Sequence, residues 1–299
     1  SGLSDNLDEW FTVVLDVLMK PTFPSDELEK YKTRQKVQLK QQRAQPFVLA
    51  NERFSRAVYG NHPASITLPT EQSIDALTSE KLAQWQKERY VPQSAILGIA
   101  GDVNANTLIP KLKKWFSEWK RTDLKESLPD NPTAVPTKKV YVVDRPNSVQ
   151  TTINMGNIAI DRMSPDYIAV NVMNRVVGGG PAARLFINLR EEKGYTYGVY
   201  SGFSAGKYSG PWFAGGDVRT EVTEGAMNEF LKELNRIRDE RVPEGELDDC
   251  KRSLVAVFAL SLEQPTQLLG YEITRKYYGL PKDYWDIYPN KIIAVSTDD

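Results

Sequence analysis

One stretch constrains the fold more than any other: Val177 to Gly202, reading VGGGPAARLFINLREEKGYTYGVYSG. Gly178, Gly179 and Gly180 open it, and Pro181 follows where a helix can begin without needing its N–H. Leu185, Phe186 and Leu189 recur at helical spacing. Gly194 sits where a helix ends in the left-handed conformation. Beyond it Tyr197, Val199, Ser201 and Phe203 alternate as a strand does. The predicted unit is glycine loop, short helix, tight turn, strand. A turn at Gly194 can bring the Arg190 guanidinium and the Tyr197 phenol together. Ten of the 19 glycines fall between Gly178 and Gly216, so close approach of backbone is expected here.

The rest of the chain sets bounds. Its 299 residues suggest about two domains. A net charge of −1 argues against nucleic acid as a general partner. Cys250 is the single cysteine, on an apolar helical face, so no disulfide framework is possible and the redox compartment stays open. No apolar run approaches a membrane span. The start reads as internal, since Ser1 to Asp5 leads straight into an amphipathic helix, so the missing targeting segment says nothing.

In chain order, Leu7, Trp10, Phe11, Val14, Leu15 and Leu18 predict a one-faced helix ending before Pro21. Ser25 is the expected cap of the next helix, Asp26 to Ala44. That helix carries Lys30, Lys32, Arg34, Lys36, Lys40 and Arg43 without an acid among them. They form either a solvated face, the basic wall of a peptide chamber, or a face matched to an acidic partner. Pro46 to Tyr59 reads as helix, Ala95 to Ala100 as a short strand, and Thr107 to Trp119 as helix with Trp115, Phe116 and Trp119 in a core or interface. Arg121 to Thr137 is polar and holds Pro129, Pro132 and Pro136, which marks a linker. The expected division is 1–121, a linker at 122–137, and 138–299. Val140 to Val143 and Val149 to Gly156 read as strands, Ser164 to Val177 as a buried helix, and Trp212 to Val218 as a hairpin partner. Three helices follow, the last from Gln264 to Tyr278. Hairpin spacing and runs of helices predict α+β, with an antiparallel sheet and helices packed on one face.

On chemistry alone, Arg190 is a cation at a helix C-terminus and Tyr197 a half-buried strand aromatic. The three glycines lack the spacing of a dinucleotide fingerprint, and no Gly-Lys-Ser/Thr follows. A loop histidine such as His62, in an Asn-His-Pro turn, is ordinarily structural or merely exposed.

These residues resemble the second-domain signature of the insulinase and mitochondrial processing peptidase family of zinc metallopeptidases. Its RLF…LR…GY…Y pattern is matched by Arg184-Leu185-Phe186, Leu189-Arg190, Gly194-Tyr195 and Tyr197. Leu15 to Phe23, Tyr59 to Pro63, Tyr90 to Pro92, Gly101-Asp102-Val103 and Trp115 to Trp119 resemble first-domain positions, in order. The resemblance implies two related domains, the first N-terminally incomplete, and a substrate-contact pair at Arg190 and Tyr197. It also exposes a departure. The family's zinc motif is His-x-x-Glu-His plus a glutamate on a later helix. Here His62 is the single histidine, Gln38 is the best match to the glutamate, and no Asp or Glu occurs between Lys30 and Asn51. An amide is a poor substitute for an anionic zinc ligand.

The resemblance therefore implies a non-catalytic, substrate-binding subunit with no catalytic residue or metal of its own. The expected partners are a zinc-bearing homologous chain and an unfolded or extended peptide. The alternatives are a structural scaffold in a larger complex, or a fragment of a single-chain peptidase. A periplasmic location fits if the source is bacterial. Apolar helix faces at Leu7, Trp10, Phe11 and Val14, deprived of their sheet, are expected to drive association.

Overall fold

The computed structural model describes residues 2–124 and 128–299. Ser1 and the middle of the expected linker, residues 125–127, lie outside the described residues. Helices fill the first half: α1 (Leu7–Met19), α2 (Ser25–Arg43), α3 (Pro46–Tyr59), α4 (Glu71–Asp75), α5 (Ser79–Arg89) and α6 (Ala105–Trp115). The second half holds β1 (Gln150–Ile158), α7 (Tyr167–Val177), α8 (Arg184–Phe186), β2 (Thr196–Ala205) and β3 (Ser209–Arg219). It ends in α9 (Thr223–Asp239), α10 (Glu244–Ser261), α11 (Pro265–Tyr278) and α12 (Tyr284–Ala294).

Local chemistry accounts for many of these ends. Thr70 and Ser73 form a reciprocal capping box on α4, and Thr78 Oγ1 accepts from the Lys81 amide to cap α5. Pro46 opens α3 and Gly60 ends it at φ +55°. Ser25 is the first residue of α2 rather than its cap, following Phe23 at φ +47°.

The chain divides into two compact units. One comprises Ser1–Leu39, Pro69–Leu128 and Leu262–Tyr277; the other comprises Lys40–Leu68, Pro129–Ser261 and Tyr278–Asp299. In the first, Phe11 of α1 stacks on Trp115 at 4.7 Å and meets Phe116 edge-on at 5.9 Å. Phe11 and Leu15 are buried, while Val13, Val14 and Val17 face outward. The expected open apolar face on α1 is therefore narrower than its sequence suggests, because the Trp115 and Phe116 rings cover Phe11. The Ala95 to Ala100 segment is not a strand. No backbone partner runs beside it among the described residues, and Ile96 and Leu97 are exposed.

The second unit is built on a three-stranded antiparallel sheet in the order β1-β3-β2. Ile153 and Val199 flank Gly216 of the central strand, and Met155 and Ser201 flank Ala214. This face carries the main core, in which Val177, Leu185, Leu189, Ala214 and Phe230 are fully buried. The helices α7 and α9 supply its upper layer, and Val172, Leu247 and Ile292 join α7 to α10 and α12 in a second cluster. On the opposite face Phe213 receives Phe54 of α3 at 6.5 Å and Tyr200 at 5.9 Å. The α+β layer expected for this half is present. Among the described residues, no helix is long and apolar enough to cross a membrane.

Two expectations for this half need correction. Val140 to Val143 forms no strand and pairs with none among the described residues, with Val140 and Val142 about four-fifths exposed. Strand propensity alone does not make a strand, because the ladder needs a partner. The helix α12 was not expected: Pro289 lies inside it and masks the helical pattern. Phe230→Ala should cost about 3–5 kcal/mol in urea unfolding, whereas Val142→Ala should stay within about 0.5 kcal/mol. A large loss at Val142 would show that the 140–143 segment is packed after all.

Candidate functional site

The glycine loop holds protein, not ligand. The Gly178 carbonyl accepts from the Ser201 amide at 3.0 Å, so α7 ends directly against β2. A Cβ on Gly178 would lie 2.5 Å from that Ser201 nitrogen, which is why no other residue fits there. Arg175 reaches back over the loop, donating through Nη1 to the Gly179 carbonyl and through Nη2 to Ser253 Oγ at 2.6 Å. A Cβ on Gly180 would meet the same guanidinium at 3.0 Å. Beneath the loop, Asn174 Oδ1 accepts from Ser201 Oγ at 2.8 Å and from Trp212 Nε1 at 3.0 Å.

Pro181 and the alanines lead into α8, whose single turn continues as a π-helix over Ile187–Glu192. The sequence shows a short helix here but not its wider pitch. The Lys193 amide donates to the Asn188 carbonyl, five residues back, at 3.1 Å. Gly194 then turns the chain at φ +60°, as its position after the helix predicts. Leu185 and Leu189 anchor the turn in the core with no exposure.

Three polar contacts fix this turn from outside. Arg184, only 6% exposed, holds Glu246 of α10 with Nε at 2.7 Å and Nη2 at 2.8 Å. That bidentate bond is the main reason its guanidinium pKa is raised, with burial opposing. Asn188, 4% exposed, donates from one Nδ2 to both Glu229 Oε2 at 2.9 Å and Glu233 Oε1 at 2.7 Å on α9. Lys193 lies 3.4 Å from Glu229. The Asn188 bond, then Lys232 and Lys193, hold the Glu229 carboxyl below its ordinary value, against desolvation.

The turn aims Arg190 outward. Its guanidinium lies over the Tyr197 ring at 4.9 Å and over the Phe186 ring at 4.7 Å. Glu191 is 3.5 Å from Nε, on the exposed side. Tyr197 is 87% exposed, so it is not the half-buried strand aromatic that chemistry alone suggests. The structure thus brings Arg190 and Tyr197 together by stacking rather than by a bond to the phenol oxygen.

The residues weighed for metal lie elsewhere in their own units. His62 Nδ1 accepts from the Ala64 amide at 3.1 Å, and its ring stacks on Tyr59 and meets Tyr208 edge-on at 4.6 Å. It is a turn-capping histidine between two tyrosines. Gln38 is exposed on α2. No group of three or more His, Cys, Asp or Glu side chains able to hold a metal occurs among the described residues. On the basic helix, Lys30 and Lys32 pair with Glu27 and Glu29 at 2.6 and 2.7 Å, and Lys36 pairs with Asp75. Its positive face is thereby partly neutralised. Burial pushes the Cys250 thiol up, away from reactive thiolate chemistry.

The sequence does not reveal Arg184–Glu246 or Asn188–Glu229–Glu233. A polar residue within an apolar helical face signals burial, but its partners lie 41 to 62 positions away.

The sequence pattern of the peptidase M16 inactive domain matches residues 76–254. An uncharacterized zinc protease of Bacillus subtilis, YmxG, is 27% identical over 266 residues, covering 86% of this chain. This chain spans 63% of that relative's length. A Helicobacter pylori relative, described as a non-peptidase homolog, is 26% identical over 98% of this chain and 68% of its own. The crystal structure of a peptidase M16 inactive domain from Pseudomonas fluorescens superposes with a TM-score of 0.89 at 25% identity. It covers 99% of this chain and 70% of that one.

The site predicts two stability effects. Glu246→Ala leaves the buried Arg184 guanidinium unpaired and should cost about 3 kcal/mol in denaturant titration. Glu229 has a lowered folded pKa, so its contribution is complete above the ordinary value of 4.5 and is lost as pH falls through the lowered one. Glu229→Gln should therefore flatten the acid limb of the stability profile; an unchanged limb would show that the carboxylate is not engaged.

Proposed function

The chain belongs to the peptidase M16 family, and we propose that it is the non-catalytic, substrate-binding member of a two-chain peptidase. The Arg190–Tyr197 pair carries this reading. A guanidinium preset on a presented phenol ring offers N–H and O–H donors to a backbone carbonyl and to the oxyanion that develops from it. The proposed substrate is an unfolded or extended peptide, since such donors read backbone rather than a particular side chain.

The zinc and its base are assigned to a homologous partner chain. Two features support this: the single histidine is occupied as a cap, and Gln38 stands where the family has a ligand glutamate. The description of the Helicobacter relative as a non-peptidase homolog is in keeping with it. The proposed domains are residues 1–121 and 138–299, joined by the linker at 122–137.

A second reading places the zinc motif in the same polypeptide, outside the matched part. It draws on the Bacillus relative, which is longer and is described as a zinc protease. Gln38 weighs against it, because that ligand position is present and changed.

Two experiments test the proposal. Metal analysis after dialysis should find no stoichiometric zinc in this chain; one tight zinc per chain, lost on His62→Ala, would refute the assignment. With a zinc-bearing partner that cleaves an extended peptide, Arg190→Ala and Tyr197→Phe in this chain should each lower turnover on the order of 10²-fold. Substrate binding should weaken less, as for donors acting mainly in the transition state. Assembly with the partner is checked for each variant by sedimentation. Wild-type turnover in both variants would make the pair structural and move the scaffold alternative ahead.

A further inference from the structure

The turn that carries Arg190 is a π-helix, and such turns persist only where neighbours hold them. Its i−5 bond, from the Lys193 amide to the Asn188 carbonyl, starts at the residue whose side chain is the most tightly held polar group on the turn. That carboxamide is buried, and one nitrogen serves two carboxylates on α9 at 2.9 and 2.7 Å. Two anions brought so close to one another repel unless a donor sits between them. Lys193 and Lys232 relieve Glu229, and Arg236 lies 3.5 Å from Glu233. Among the described residues, Asn188 is the one donor common to both carboxylates.

The geometry points to Asn188 as a positioning residue for Arg190, a role that rests on reading Arg190 as a substrate contact. Its clamp onto Glu229 and Glu233 fixes the π-turn, and the wide turn sets the guanidinium over Tyr197 and Phe186. Asn188 touches no substrate. Without the clamp, the extra residue of the π-turn can shift along the helix, and a shift rotates Arg190 by about 100° around the axis. Leu185 precedes the π-turn and stays anchored in the core, so a substitution at Asn188 acts on the turn and on Arg190.

The test reads the position of Arg190 directly. A guanidinium over an aromatic face has its Hε resonance moved upfield by the ring. In nitrogen-labelled protein, assigned by its loss in Arg190→Ala, this signal should be upfield in the wild type and should relax downfield in Tyr197→Leu. Asn188→Ala should reproduce most of that relaxation while the fold, followed by circular dichroism, is kept. If Asn188→Ala does not fold, Glu229→Ala removes one arm of the clamp and should give a smaller shift in the same direction. An unmoved signal in the folded clamp variant, against a moved one in Tyr197→Leu, overturns the proposal.

A second arm uses a fluorescein-labelled unstructured peptide. Asn188→Ala and Arg190→Ala should each weaken its binding about tenfold, and the double variant should weaken it no further, because both act through one contact. Effects that multiply would mean that Asn188 acts independently of Arg190 and would overturn the role. Unchanged binding in Arg190→Ala would show that Arg190 makes no ground-state contact with the peptide, while the resonance shift still decides the role of Asn188.

Discussion

The burial of Leu185 and Leu189 is the constraint on which the rest depends. Both are fully buried against Val199, Ala214 and Phe230, under a sheet only three strands wide. A small sheet gives a small core, and two leucines on one turn are a large share of it. Each is worth about 1.5–3 kcal/mol of burial. With these two directed inward, the residues between and around them have fixed destinations. Arg184 reaches α10, Asn188 reaches α9, and Arg190 alone of the three turns outward. The outward cation thus follows from core packing together with the Asn188 clamp, which fixes how the turn winds past the two leucines.

Burying Arg184 and Asn188 has its own cost, which the structure offsets in part by pairing donors to carboxylates, leaving Arg184 Nη1 and Asn188 Oδ1 without a hydrogen bond. A buried guanidinium left unpaired would cost several kcal/mol. The bidentate bond to Glu246 uses Nε and Nη2, while Nη1 stays without a hydrogen-bond partner. The same holds beneath the glycine loop, where Asn174 Oδ1 takes two donors at once. The loop glycines serve this economy of space. Gly178 lets the end of α7 lie on β2, and Gly179 and Gly180 leave room for Arg175 to close over them. Backbone that resembles a ligand cradle in sequence is here a seam between a helix and a strand.

Much of this was legible in the residues, and the failures share a cause. Pro46 and Gly60 bound α3, Gly194 makes its positive-φ turn, and the alternation from Tyr197 to Phe203 forms β2, because each is decided within a few residues of chain. The segments at 95–100 and 140–143 look like strands by composition, but a strand also needs a neighbour, and that is not a local property. The Asn188 clamp was invisible for the same reason, since its partners lie 41 and 45 residues on. The stacking of Arg190 on Tyr197 was half legible. The turn at Gly194 predicts proximity, while the exposure of Tyr197 comes from the register shift between Thr196 and Val199 in β2.

The manner in which Arg190 is held bears on what it can do. A carboxylate partner would occupy its N–H fork and offset its charge. Aromatic rings do neither: they face the flat side of the guanidinium and leave its edge open. Stacking of this kind contributes about 0.5–1 kcal/mol at an exposed site, similar to a surface ion pair. The choice between them therefore changes little in stability and much in function. Glu191 at 3.5 Å, more than half exposed, is the one acid at hand, and its pull is screened by water. The Phe186 and Tyr197 rings lie 4.7 and 4.9 Å from the guanidinium, and on the proposed reading this contact would lower the freedom lost on binding a carbonyl. The ring that orients the cation also carries a hydroxyl of its own. On the proposed reading, two donors held on one turn would suit a grip on peptide backbone more than a role in stabilising the fold.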